Sequence, residues 1–222
     1  MKTSINKIIM LVVAIFFLGT LESCKKENED VVRIQNVVPQ SIIDDLSNKG
    51  MVINQGNKPP HLELIVRASP YTLVAPYGVN DGWKKGHVIN DYFYKFYGQT
   101  DKQDITYDFK NSTESDKGIG TGAFVVGSGN KFTIFSEDQG VSKNVPYKTV
   151  TIISGELDGT SIKNFQYAFV IKEKTGDESN SVLIPVGTGR LWEDGDFVSE
   201  SKSNFRIAAT EKAGSGTVLS AQ

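Results

Sequence analysis

Along most of the chain, apolar and polar residues alternate with a period of two rather than with a helical period. Ile105, Tyr107 and Phe109 alternate with Thr106, Asp108 and Lys110, the mark of a strand with one buried and one wetted face. Phe165, Tyr167, Phe169 and Ile171 form a longer stripe of the same kind. Tyr92, Tyr94 and Phe96 share one face of a segment whose other face carries Phe93 and Tyr97. Leu62, Leu64 and Val66 give a first strand after Pro59-Pro60, which force an extended backbone. Further strands are predicted over 119–126, 131–136, 147–156, 162–173 and 182–192, then from Phe197, with another over 204–210 to close the sheet. Gly127-Ser128-Gly129-Asn130, Asp158-Gly159-Thr160 and Asp194-Gly195-Asp196 read as the tight turns between them. Two polar segments, 111–117 and 137–146, read as loops. The stretch 70–86, with Pro70, Pro76, Gly78, Gly82 and Gly86, reads as the longest irregular segment inside the domain. Long loops in compact domains often carry function.

One segment has helical spacing. Ile42, Ile43 and Leu46 fall on one face, Pro39 suits a helix start and Gly50 a stop, so a helix is expected over 39–49, plugging or capping the sheet. The result is an all-β fold: eight to ten sequential strands in an antiparallel meander. Such a meander closes as an up-and-down β-barrel, lipocalin-like in general architecture, or stacks as a two-sheet β-sandwich. The barrel is favoured because hairpin-length links outnumber long crossings. No repeat of 20–50 residues stands out, which argues against a solenoid or propeller.

Composition changes this picture little. The 24 basic and 26 acidic side chains leave a formal net charge of −2, without the basic surface by which nucleic-acid binders neutralise phosphates. The single cysteine rules out an intramolecular disulfide, so the domain is held by its core.

The N-terminus reads as an address. Lys2 and Lys7 precede an apolar run at 8–18, too short to span a bilayer as a helix and the right length for the apolar region of a signal peptide. Leu21-Glu22-Ser23-Cys24 follows. This segment resembles the lipobox of bacterial lipoproteins, with Glu22 a departure from the usual small or apolar residue. The resemblance implies cleavage after residue 23 and lipid on Cys24, which would take the only thiol out of the domain's chemistry. The expected organisation is a signal peptide over 1–23, a lipidated Cys24 with a polar tether over 24–30, one all-β domain over 31–212 and a Gly/Ser-rich disordered tail over 213–222. Lys25-Lys26-Glu27-Asn28-Glu29-Asp30 is similar to the segment behind the lipidated cysteine in surface-exported lipoproteins of Bacteroidota, which implies display at the outer membrane and cell surface; the periplasmic side is the alternative. Residues 50–60 and 127–135 also look like segments of uncharacterised lipoproteins of that group, which carry no activity over to this chain.

Signals for catalysis are sparse. His61 and His87 have no partner at ligand spacing, no Gly-x-Ser-x-Gly elbow joins a strand to a helix, and Gly118-Ile119-Gly120-Thr121-Gly122 lacks the Lys and the helix of a phosphate loop. Glycines there read as a bulge or a tight barrel bend. Asp194 and Asp196 offer two oxygen ligands to calcium, although the turn lacks the rest of a calcium loop. The aromatic set is richer. Tyr92 and Tyr94, with Tyr77 and Trp83 in the adjoining loop, are the candidate lining of a pocket for a small apolar or glycan ligand, or of a patch for a protein partner. The competing expectation is a glycan hydrolase using two carboxylates across a cleft.

Overall fold

The computed structural model describes residues 32–205. The expected signal peptide, Cys24, the tether to residue 30 and the tail beyond 212 lie outside the described residues. The chain divides into two units, Met1–Asn36 and Val37–Gln222. In the first, residues 32–36 are described and are helical. Among its described residues the second contains one short helix and one sheet of twelve strands.

The strands are β1 (Asn57–Lys58), β2 (Leu64–Ala68), β3 (Tyr71–Ala75), β4 (Val88–Ile89), β5 (Tyr92–Tyr97), β6 (Asp104–Asn111), β7 (Asp116–Ser128), β8 (Lys131–Ser142), β9 (Val145–Asp158), β10 (Ser161–Lys174), β11 (Gly189–Asp194) and β12 (Val198–Ser201). Several are halves of one bent run. β2 with β3 forms a single run that pairs with β5 and β4 on one side and with β12 and β11 on the other. From β5 to β10 each strand pairs antiparallel with the next. The far edge of β10 then takes both β11 and β12. Eight runs therefore close on themselves in up-and-down order, as an unevenly round ring. This is the barrel of the two expected architectures, and closure leaves no open sheet edge along the ring.

Alternation decides which side chains enter the barrel. Phe96, Ile105, Val125, Phe132, Ile134, Ile153, Ile162 and Phe165 fill one end, with Leu62 among them. Tyr94, Tyr107 and Tyr167 occupy the middle. Three glycines make room for the rings: a methyl on Gly120 would sit 2.2 Å from the ring of Tyr107, one on Gly140 2.5 Å from that of Tyr147, and one on Gly118 2.6 Å from Phe109. The run at 118–122 is also the expected bulge, since the β7–β8 register shifts between Thr121 and Phe124.

The opposite faces carry a second apolar layer. Phe124, Phe135, Ile152, Ala168 and Leu191 are lateral neighbours across β7 to β11, point away from the interior and are all buried. The helix, Gln40–Asn48, buries Ile43 and Leu46 beside Val38 and Met51. It ends in a Schellman turn in which Met51 N donates to Leu46 O and Gly50, at φ +105°, donates to Ser47 O. A Cβ on Gly50 would touch Leu191 and Val74. The helix thus lies against the outer wall instead of plugging an end. The chain behind it crosses that wall: Gly50 and Val52 bond Gln166, Asn54 bonds Thr133 and Phe132, and β1 pairs parallel with β7.

Four expectations need correction. The stretch 70–86 contains β3, because Tyr71 and Leu73 point inward while Thr72 and Val74 do not. Residues 137–146 are not a loop; they are strand on both sides of a two-residue turn at Lys143-Asn144, both at positive φ. Conversely, only Gly189–Asp194 of the expected strand over 182–192 is strand, and residues 182–188 are loop. Asn204 is described and is not strand; residues 206–210 lie outside the described residues.

Candidate functional site

The barrel end ringed by the loops 76–87, 112–115, 143–144 and 175–188 holds a cavity of about 120 Å³. Tyr71, Trp83, Tyr92 and Trp192 form one aromatic wall. Tyr71 lies 4.7 Å from Tyr92 and stacks at 5.3 Å on Trp192, and Trp83 meets Trp192 edge-on at 5.8 Å. Tyr147, Phe169 and Ile171 face them, and Val182, Leu183 and Ile184 of the loop 175–188 complete the lining. Both tryptophans of the chain line this one space.

Polar groups enter the wall at two places. Asp116, at the start of β7, accepts hydrogen bonds from Tyr92 Oη at 2.5 Å and Tyr147 Oη at 2.9 Å. Burial pushes its carboxyl above the ordinary value, and the two phenols draw it partway back. Below the cavity Asp138 is wholly buried. It accepts from Tyr107 and Ser136 on one oxygen and from Tyr167 on the other. Burial there outweighs these bonds and raises the carboxyl to about 6. Tyr71 and Tyr94 share a hydroxyl–hydroxyl bond of 2.8 Å. Burial lifts all six interior tyrosines well above the usual phenol range, helped by nearby carboxylates at five of them and by Tyr71 at Tyr94, so they remain O–H donors.

Each of the two long rim loops is folded around a buried aspartate. Asp81 accepts from the backbone N–H groups of Tyr77 and Trp83 and forms a bidentate pair with Arg190 of β11 at 2.9 and 2.5 Å. The guanidinium lies 4.1 Å above the Trp83 ring. Burial opposes ionisation of Asp81, but the bonds from Arg190, Trp83 and Tyr77 prevail and hold it below the ordinary carboxylate value. Asp177 accepts from Lys174 Nζ and from the backbone N–H groups of Ser181, Val182 and Leu183. The Lys174 bond leads in holding its carboxyl far below the usual range. The apolar side chains that both loops turn toward the cavity are therefore fixed before any ligand arrives.

Trp83 and Tyr92 of the sequence-expected set come together in the cavity lining. Tyr94 sits beneath it, bonded to Tyr71, and Tyr77 turns its hydroxyl to Asn80 O in the rim loop. Asp194 is buried at the bend between β11 and β12, accepting from Ser69 N and Ser199 Oγ, while the exposed Asp196 caps Val198 N. Asp194 pins the bend. Among the described residues no three Asp, Glu, His or Cys side chains gather to hold a metal. Sequence reasoning missed Tyr71, Asp116, Tyr147, Arg190 and Trp192. The inward stripe of β10 was visible, but nothing in the sequence showed which residues faced it.

No protein-family model, no curated protein and no solved structure matches this chain.

Proposed function

We propose that this protein is a lipid-anchored binding module of the cell envelope, displayed at the outer membrane, that takes a small ring-sized ligand into the mouth of its barrel. The carrying observation is the cavity: a preformed space of about 120 Å³, walled by aromatic rings and holding a few fixed polar groups. Binding sites are typically such concave, mostly apolar spaces with a small number of placed polar atoms. A cavity of this size suits one ring, since one of about 150 Å³ accepts benzene. Among the charged side chains of the lining only Asp116 is a carboxylate. A glycosidase needs two across one cleft, so the lining favours binding over glycan hydrolysis. The anchor rests on Cys24 and its resemblance to a lipobox.

Two measurements test this reading. Single-ring compounds are expected to raise the melting temperature and to change the fluorescence of Trp83 and Trp192, by about 2.7 kcal/mol of stabilisation at a hundredfold excess over Kd. Leu183→Trp, which fills the space from the loop, should fold and lose that response. A library of single-ring compounds that leaves both signals flat would remove the proposal. For the anchor, Cys24→Ser in the native host should move the protein from the membrane to the soluble fraction and abolish labelling by a fatty-acid analogue. Unchanged labelling would place the lipid on another residue, and a parent that takes no label would remove the anchor.

A further inference from the structure

Resting on the cavity reading above, we infer that the ligand is a small organic cation, a primary or substituted ammonium on a single ring, received by the aromatic wall and the Asp116 carboxylate. The charge balance of the cavity carries this. Two charged side chains line it, Asp116 and Arg190. Arg190 is already neutralised by its bidentate bond to buried Asp81, and its flat face is spent on Trp83. Asp116 has no such counter-ion among the described residues; its neighbours are the neutral hydroxyls of Tyr92 and Tyr147. A carboxylate offers about four lone-pair positions, so two remain for a ligand's N–H donors. The next charge inward, Asp138, is also a carboxylate, and it accepts a hydrogen bond from Tyr167 of the cavity lining. The uncompensated charge in and under the cavity is therefore negative. The walls add to this: faces of Tyr and Trp rings attract cations through their quadrupoles, and Tyr92 and Trp192 bring their rings to the cavity on either side of Tyr71, while Trp83 already holds the Arg190 guanidinium. An anionic ligand would meet like charge. A neutral one would leave Asp116 without its best partner.

The test uses three probes of one size on the full chain: benzylammonium, benzyl alcohol and benzoate, titrated at pH 7.5 with tryptophan fluorescence and thermal shift as readouts. Benzylammonium is expected to bind at least tenfold more tightly than benzyl alcohol, and benzoate to bind weakest. Asp116→Asn should erase the tenfold preference, and a cooperative thermal transition of the variant shows that it is folded. Equal binding of the three, or a preference for benzoate, overturns the cation inference and leaves the cavity reading standing. A preference for benzylammonium that survives Asp116→Asn, in a variant that still melts cooperatively, assigns the charge recognition elsewhere and overturns it as well. Binding by none of the three, nor by any other single-ring compound, overturns both.

Discussion

Asp81→Ala is expected to lower the stability of the barrel by about 3–5 kcal/mol, the usual cost of removing one partner from a buried ion pair. The side chain of Asp81 is fully buried and that of Arg190 is nearly so, so the substitution leaves a guanidinium in the wall with no counter-ion. It also strips the acceptor from the N–H groups of Tyr77 and Trp83, which gives the loop 76–87 its shape. Two signatures separate this from loss of an ordinary surface contact. The emission of Trp83 should shift toward that of a solvated indole, because the cation above its ring and the bond at its backbone are both released. The second is thermodynamic: combining Asp81→Ala with Arg190→Met should cost much less than the two single losses added, since the uncompensated charge is then gone. A loss below about 1 kcal/mol for Asp81→Ala, measured by urea denaturation, would mean that the pair is solvated and does not hold the loop.

The architecture was largely legible because a closed meander imposes a local rule, inward and outward residues in strict alternation, that sequence displays directly. Ile105, Tyr107 and Phe109 enter the barrel as their spacing requires, and so do Phe165 and Tyr167. The rule failed where its assumptions did. The wall made by Phe124, Phe135, Ile152, Ala168 and Leu191 is buried on the outer side as well, so those strands read as nearly continuous apolar runs. The polar segment 137–146 reads as loop because its inward positions in β8 include Asp138, where an alternating pattern calls for an apolar residue, as it does at Ser136 just before it. Ser136 and Asp138 are tolerated there because each finds a partner in Tyr107 or Tyr167, two strands away in sequence, and no local pattern carries that information.

The site was legible only in outline. Trp83 and Tyr92 stood out as aromatic density beside a long loop, which is a property of composition. Asp116 did not, since one aspartate among 26 acidic residues gains meaning only when Tyr92 and Tyr147 are seen to donate to it. Arg190 belongs to the same class. Its role depends on a contact with Asp81 across 109 positions of sequence. Loops 76–87 and 175–188 are built by aspartates that read as generic turn residues, and only burial separates Asp81 and Asp177 from the exposed Asp196.

The buried carboxylates set the direction of the pH dependence, and the expected result is a protein more stable at pH 5 than at pH 7.5. Asp138 titrates near 6 in the folded barrel because burial disfavours its charge, against an ordinary value of 3.8. The native state therefore keeps a proton that the unfolded chain has released. Its contribution to stability is complete below pH 3.8, declines as the pH rises, and is lost once the pH passes through 6. Over the whole window this amounts to at most about 3 kcal/mol, and between pH 5 and 7.5 to about 1 kcal/mol. Asp194 at the β11–β12 bend is also raised to about 6, chiefly by burial, and adds a term of the same sign. Asp81 and Asp177 act oppositely, but their carboxyls are held below the ordinary value, so their losses come only in stronger acid. Asp138→Asn isolates the interior contribution. The amide still accepts from Tyr107 on its oxygen and donates toward Tyr167 from its nitrogen, while its charge no longer titrates. Urea denaturation at several pH values between 5 and 7.5 should show the variant with a shallower decline than the parent, the remainder belonging to Asp194 and to Asp116 and Glu193, whose carboxyls burial also raises. A parent whose stability stays level or rises across that range, or a variant with the parent's slope, would mean that Asp138 is ionised as readily inside the barrel as in water. In that case the tyrosine cluster around it would be a solvated network, and the negative field assigned to the floor of the cavity would be screened.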